Sequence, residues 1–105
     1  MDKRKPTYQL AEIRRLIIEE RFKLSNSARK TTDLLGFSKT DIKETILELE
    51  SKDFYKSTTE CADHTVWQDV YKKAVGNLRL YMKLKIVRIN GQLLLIMSFK
   101  EDASS

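Results

Sequence analysis

The side chains of this sequence that could do chemistry concentrate in one window, Asp53–Tyr71, which reads DFYKSTTECADHTVWQDVY. The window contains the only histidine (His64), the only cysteine (Cys61) and the only tryptophan (Trp67) of the chain. Hydroxyl residues, a lysine, a glutamine, aspartates and tyrosines stand between them. Because a segment that only fills a core does not need this mixture, the window predicts a site that holds a polar substrate and moves protons on it.

Net charge narrows the class of substrate. The chain has 105 residues with 20 Lys and Arg against 15 Asp and Glu, a formal net charge of +5. A positive surface attracts anionic partners, and phosphate chains are foremost among these. Charge alone gives a nucleic-acid partner and a merely soluble basic surface about equal weight, so the positions of the charges must decide between them.

Five side chains supply what a metal-independent cut in RNA requires. In that reaction the 2′-hydroxyl attacks the adjacent phosphate, so the 2′ proton must be accepted, charge on phosphorus neutralised and the leaving 5′-oxygen protonated. Lysine suits the charge, tyrosine can transfer or orient a proton, and glutamine can only orient. The candidates are Lys56, Gln68, Tyr81, Lys100 and His64.

Other interpretations of the same residues stay open. His64 is either an acid–base catalyst or, with more weight, a structural histidine tied to Asp63 or to backbone at a turn. A metal site from Asp63, His64 and Asp69 is a weaker alternative, because one histidine and one cysteine give no zinc-ligand spacing. Cys61 is interpreted as a small filler. We therefore expect no metal and no cofactor.

Hydropathy periods predict α+β architecture in one domain, residues 1–105: three helices packed on an antiparallel sheet. Helix signals are followed by strand signals after Leu49. The predicted helices are Tyr8–Glu20 after Thr7, Ala28–Leu35 capped by Ser25 or Ser27 and closed by Gly36, and a third from the Ser38–Asp41 capping box through Leu49. The predicted strands are 54–59, 65–71, 78–87 and 92–100, with Phe22–Leu24 either strand or linker and Glu101–Ser105 frayed.

A hairpin at Asn90-Gly91 fixes which residues should meet. A two-residue loop pairs Ile89 with Gln92, and the ladder continues one residue at a time. The expected partners are Ile86 with Leu95, Leu84 with Met97, Met82 with Phe99, Lys83 with Ser98 and Tyr81 with Lys100. Tyr81 and Lys100 should therefore share one face of the sheet, and the final hairpin supplies the second half of the site.

The elements DFYKS (53–57), DHT (63–65) and WQDVY (67–71) closely resemble the motility quorum-sensing regulator toxins, MqsR. The resemblance covers essentially the whole chain. It implies a RelE-like α/β ribonuclease fold and a type II toxin that cleaves messenger RNA, independently of the ribosome, at GCU-type sites. It also implies a zinc-containing, DNA-binding antitoxin, MqsA, as partner. The matching active-site positions are Lys56, Gln68 and Tyr81, supported by Lys100, with His64, Lys83 and Tyr55 as further substrate contacts.

Membrane functions are not expected, because no apolar run reaches about 18 residues and the charged start is unlike a signal peptide. A single cysteine and the implied activity favour the cytoplasm. Three rivals to the enzyme remain: a non-catalytic RNA- or ribosome-binding module, an inactive toxin homologue, and a partner protein whose basic face docks an acidic protein.

Overall fold

Three helices and a six-stranded sheet form the fold in a computed structural model that describes residues 1–103. The elements are β1 (Asp2–Lys3), α1 (Leu10–Ile18), β2 (Phe22–Leu24), α2 (Asn26–Leu35), α3 (Lys39–Leu47), β3 (Phe54–Thr59), β4 (Trp67–Val75), β5 (Leu78–Arg88) and β6 (Gln92–Glu101). The sheet order is β1-β3-β4-β5-β6-β2. The α+β class is confirmed, but the sheet is mixed, since β2 pairs with β6 in parallel.

Local capping chemistry defines the ends of two helices. The Ser25 hydroxyl accepts from the Ala28 amide at the start of α2, and Gly36 ends that helix at φ +73°. Ser38 and Asp41 cap α3 reciprocally, the Asp41 carboxylate accepting from the Ser38 amide. These signals lie within four residues of each other, which is why the sequence alone predicts them.

The first helix begins later than predicted, at Leu10 rather than Tyr8. The predicted cap at Thr7 is wrong, because Gln9 is the N-cap and the Thr7 hydroxyl bonds to the Ser57 hydroxyl at 2.9 Å. The amides of Thr7 and Tyr8 donate to the buried carboxylate of Asp69 at 2.9–3.0 Å. The chain between β1 and α1 is thereby fixed to β4. This tie and the pairing of β1 with β3 keep the N-terminal segment beside the sheet.

The core lies between the helices and one face of the sheet. Ile13, Leu16 and Ile17 of α1 pack into it, as do Ile42 and Ile46 of α3. The sheet contributes side chains of alternating positions, as a half-covered sheet requires. These are Tyr71, Leu80, Met82, Leu84, Leu94, Ile96 and Phe99.

The final hairpin reaches the predicted pairing by a different route. The loop has three residues, Ile89 to Gly91, and pairs Arg88 with Gln92, so the predicted Ile89–Gln92, Ile86–Leu95 and Leu84–Met97 partners are wrong by one position. A β-bulge at Met97 then shifts the register back. Beyond it Lys83 meets Ser98, Met82 meets Phe99 and Tyr81 meets Lys100, as predicted.

The two ends of the described chain differ most from expectation. β1 pairs with β3 through Asp2 and Lys3, a strand that the charged N-terminal sequence did not predict. Glu101 continues β6 and the Asp102 amide donates to the Arg79 carbonyl at 2.7 Å, so the predicted fraying is wrong at these two residues. Ser104 and Ser105 lie outside the described residues. Within residues 1–103 no helix is long and apolar enough to cross a membrane.

Candidate active site

The candidate site lies on the side of β3–β6 that faces away from the helices. We call this side the basic face, and the candidate site takes from it Lys56, Lys72, Tyr81, Lys83 and Lys100. Two cross-strand rows place them: Lys72–Tyr81–Lys100, and Lys56–Val70–Lys83–Ser98. Val70 is fully buried without belonging to the helix-side core, and its cross-strand partners on this face are Lys56 and Lys83.

A β-bulge at Tyr55 brings two consecutive side chains onto the basic face. Phe54 pairs with Tyr71 on the core side, whereas Lys56 pairs with Val70, so Tyr55 is the extra residue. Counted back from Lys56, strict alternation would send Tyr55 toward the core. Instead its ring lies 4.2 Å from the Lys72 ammonium and 5.6 Å from that of Lys56. Bulges re-aim side chains in this way beside functional sites.

Tyr81 is the central titratable group of the basic face. The Lys100 ammonium lies 5.3 Å from its ring centroid. Burial raises the pKa of the Tyr81 phenol, Lys56 opposes that rise, and Asp102, Tyr55 and Asp2 add to it. The phenol therefore stays protonated at neutral pH and is suited to donate a proton or a hydrogen bond.

Lys56 is held by the N-terminal strand. Its ammonium lies 3.2 Å from the Asp2 carboxylate, across the β1–β3 pair. Hydrogen bonds from Thr58 and Lys56 lower the pKa of Asp2, so the carboxylate stays ionised. The free protein thus presents an anion at the ammonium that a phosphate would approach.

A second carboxylate, Asp102, anchors the other end of the face. Its Oδ2 lies 3.3 Å from Lys72 Nζ and 3.5 Å from Arg79 Nε. The Asp102 side chain is only 5% exposed and that of Lys72 16%. This ion pair is mostly withdrawn from water and is correspondingly less screened than a surface pair.

Gln68 and Lys83 stand apart from the Tyr81 row. Gln68 is 7% exposed and pairs with Thr58 on β3. It is four residues from Lys72 along β4, roughly 13 Å at strand spacing. Lys83 lies in the same row as Lys56, two strands away from it, and that row is next to the row of Tyr81. Both side chains therefore border the cluster around Tyr81 rather than belong to it.

His64 lies outside that cluster, in the exposed loop between β3 and β4. The Asp63 carboxylate beside it accepts from the Thr65 amide at 2.9 Å and the Thr65 hydroxyl at 2.6 Å. Cys61 is exposed in the same loop, so its interpretation as a filler is wrong. The three proposed metal ligands are separated, since Asp69 is fully buried and bonded to Thr7 and Tyr8. Among residues 1–103 no group of three or more His, Cys, Asp or Glu side chains could hold a metal ion.

The structure thus brings together Lys56, Tyr55, Tyr81 and Lys100, borders them with Gln68 and Lys83, and leaves His64 at a distance. Sequence reasoning missed Asp2, Lys72 and Asp102. Lys72 could have been found by extending the period-two pattern of β4 past Tyr71, because it shares the parity of Gln68 and Val70. No local signal pointed to the two carboxylates.

Two comparisons with known proteins match almost the whole chain. The sequence model of the family described as "Motility quorum-sensing regulator, toxin of MqsA" matches residues 5–101. The protein named mRNA interferase toxin MqsR, from Escherichia coli (strain K12), is 35% identical over 101 residues, which cover 96% of this chain and 99% of that protein.

Proposed function

Since this chain belongs to the motility quorum-sensing regulator toxin family, we propose that it is an mRNA endoribonuclease, the toxin of a type II toxin–antitoxin pair. The resemblance seen in the DFYKS and WQDVY elements is confirmed by both matches. The one observation that carries the catalytic proposal is the meeting of Lys56, Tyr81 and Lys100 on one face of the sheet.

The proposed reaction is an attack by the RNA's own 2′-hydroxyl on the adjacent phosphorus. The bond from the 2′-oxygen to phosphorus forms as the bond from phosphorus to the 5′-oxygen breaks, leaving a 2′,3′-cyclic phosphate and a 5′-hydroxyl. Lys56 and Lys100 neutralise the charge that gathers on the phosphoryl oxygens. Tyr81, protonated at neutral pH, gives its proton to the leaving oxygen, and water at the exposed face takes the 2′ proton.

Gln68 orients the substrate in this proposal. Its amide cannot titrate, and it lies along β4 from the Tyr81 row, so it contacts a nucleotide next to the scissile one. Lys83 binds a flanking phosphate. Tyr55, a residue that is 41% exposed, offers its ring as a stacking surface for an unpaired base, and His64 contacts the RNA strand further out.

We also propose the fold family, the cleavage conditions, the antitoxin and the compartment. The mixed sheet with helices on one face supports a RelE-like ribonuclease fold. A cluster of cations and a phenol supports cleavage without the ribosome and without metal, in single-stranded RNA. The preference for GCU-type sites is proposed from the family resemblance alone. The partner is an MqsA-like antitoxin, a zinc-containing DNA-binding protein, and the cytoplasm is the compartment in which both meet messenger RNA.

One assay tests the proposal. The protein, freed of antitoxin and kept in chelator, is incubated with a defined RNA that contains GCU sites, beside Lys56→Ala and Tyr81→Phe. Discrete cuts at GCU by the wild type alone support the enzyme. Cuts only after metal is added overturn the mechanism.

Binding measured on the same RNA separates the rivals. Wild-type protein that binds but never cuts is a binding module or an inactive homologue. Wild-type protein that neither binds nor cuts RNA, yet binds an acidic protein, is the docking partner. Circular dichroism must show that the Lys56→Ala and Tyr81→Phe proteins are folded, so that lost cleavage is not due to unfolding.

A further inference from the structure

Asp102 joins the end of β6 to the site through two cations. Its carboxylate contacts Lys72 at 3.3 Å and Arg79 at 3.5 Å. Its backbone amide donates to the Arg79 carbonyl at 2.7 Å, which holds the residue against β5. Asp102 lies just past residues 5–101, the range that the family model matches.

Lys72 transmits the position of Asp102 to the two tyrosines. It is the cross-strand partner of Tyr81, and its ammonium lies 4.2 Å from the Tyr55 ring centroid. A lysine has four rotatable side-chain bonds, and a cation over an aromatic face holds it only weakly when water competes. A carboxylate that is 5% exposed supplies a firmer contact, because the surrounding protein screens it less than water would.

We propose that Asp102 is a positioning residue of the ribonuclease site: its carboxylate fixes the Lys72 ammonium over Tyr55 and beside Tyr81. The proposal rests on the proposed function, since it assigns a role within that reaction. Asp102 contacts no substrate. It acts through Lys72, which limits where the Tyr55 ring and the Tyr81 phenol can lie when RNA is bound.

The charged and titratable groups around Tyr81 set its pKa, and Asp102 is one of them. Lys72 faces it from β4, Lys100 from β6, Lys56 and Tyr55 from β3, and Asp2 from β1, with Arg79 and Lys83 on its own strand. Because Asp102 adds to the rise in the Tyr81 pKa, its removal lowers that pKa. Because the lost charge alone causes this shift, kcat, its rescue by Asp102→Glu and the comparison with Lys72→Met decide the positioning role.

The test compares kcat, KM and the pH profile of RNA cleavage for the wild type and for Asp102→Asn. We expect kcat to fall about tenfold, because Lys72 is then less well positioned. KM should be unchanged or lower, because a negative charge that repels RNA is removed. The basic limb of kcat should move to lower pH. Asp102→Glu should restore part of kcat.

Two further variants keep the outcome independent of folding. Glu101→Gln removes a neighbouring charge on the opposite face of β6 and should behave as wild type. Lys72→Met should lose as much kcat as Asp102→Asn, and the double variant no more than either, because both act through one contact. Additive losses overturn the proposal. So does a folded Asp102→Asn protein with wild-type kcat, whatever its pH profile. A wild-type protein that does not cut RNA refutes the proposed function instead.

Discussion

Lys100 lies directly opposite Tyr81 in the β5–β6 ladder, and its ammonium is 5.3 Å from the tyrosine ring centroid. The pairing depends on two compensating irregularities, since the three-residue loop shifts the register by one and the Met97 bulge shifts it back. A cation and a protonated phenol thereby meet at one point of the basic face. The proposed chemistry follows from that meeting.

Tyr81→Phe should reduce kcat by about a factor of 10²–10⁴, because the phenyl ring keeps the packing but cannot donate a proton. The pKa of Tyr81 is raised above its usual value of 10.0, so activity should be lost only as pH rises through that raised value. Wild-type kcat/KM should therefore stay level to about pH 9. A basic limb centred below that pH, measured against enzyme-free RNA controls, would exclude Tyr81 as the proton donor.

Lys56→Met should lower kcat by about a factor of 10²–10³ with a smaller change in KM, because the lysine acts on charge that develops at phosphorus. Lys83→Met should instead raise KM with kcat little changed, as expected for a flanking phosphate contact. Lys30→Met is the control, because it removes one positive charge from the exposed side of α2, away from the basic face. Equal kinetics for all three variants would mean that the basic face contributes only net charge.

Asp2→Asn should lower KM for RNA a few-fold, because the Asp2 carboxylate competes with phosphate for the Lys56 ammonium at 3.2 Å. The pair is partly exposed, so the effect is modest and should shrink at high salt. Asp33→Asn on α2 is the control for net charge. A rise in KM, or a drop in kcat, would show that Asp2 assists Lys56 rather than competing for it.

Asp69→Asn should destabilise the protein by about 2–3 kcal/mol, since a fully buried carboxylate loses charge-assisted bonds from the Thr7 and Tyr8 amides. Urea denaturation followed by circular dichroism measures the change. Asp33→Asn, exposed on α2, should stay within about 0.5 kcal/mol of wild type. Equal stability of the two variants would mean that the N-terminal segment is held by other contacts.

Much of the fold was predictable because its signals are local. The Ser38–Asp41 capping box and Gly36 act within one helical turn, and the alternation in β5 marks its apolar side directly. The same alternation placed Tyr81 on the basic face, but its pairing with Lys100 was predicted correctly only because the three-residue loop and the Met97 bulge offset each other. Part of the site could therefore be predicted, because Lys56 and Tyr81 lie on strands with a clear hydropathy period.

The remainder depends on contacts that no local pattern encodes. Asp2 and Lys56 are 54 positions apart, and nothing in the charged N-terminal sequence indicates a strand. The bulges at Tyr55 and Met97 interrupt alternation without any glycine or proline to announce them. The sequence around Asp102 predicts a frayed polar terminus, yet Lys72 and Arg79 hold Asp102 against the sheet.

The most direct test of the central claim uses an RNA with one 2′-deoxynucleotide at a mapped cleavage site. With wild-type protein in chelator, cleavage should vanish at that site and persist at unmodified sites, and the products should carry a 2′,3′-cyclic phosphate and a 5′-hydroxyl. Cleavage at the 2′-deoxy position would contradict the account, because the attacking oxygen would then come from water rather than from the RNA.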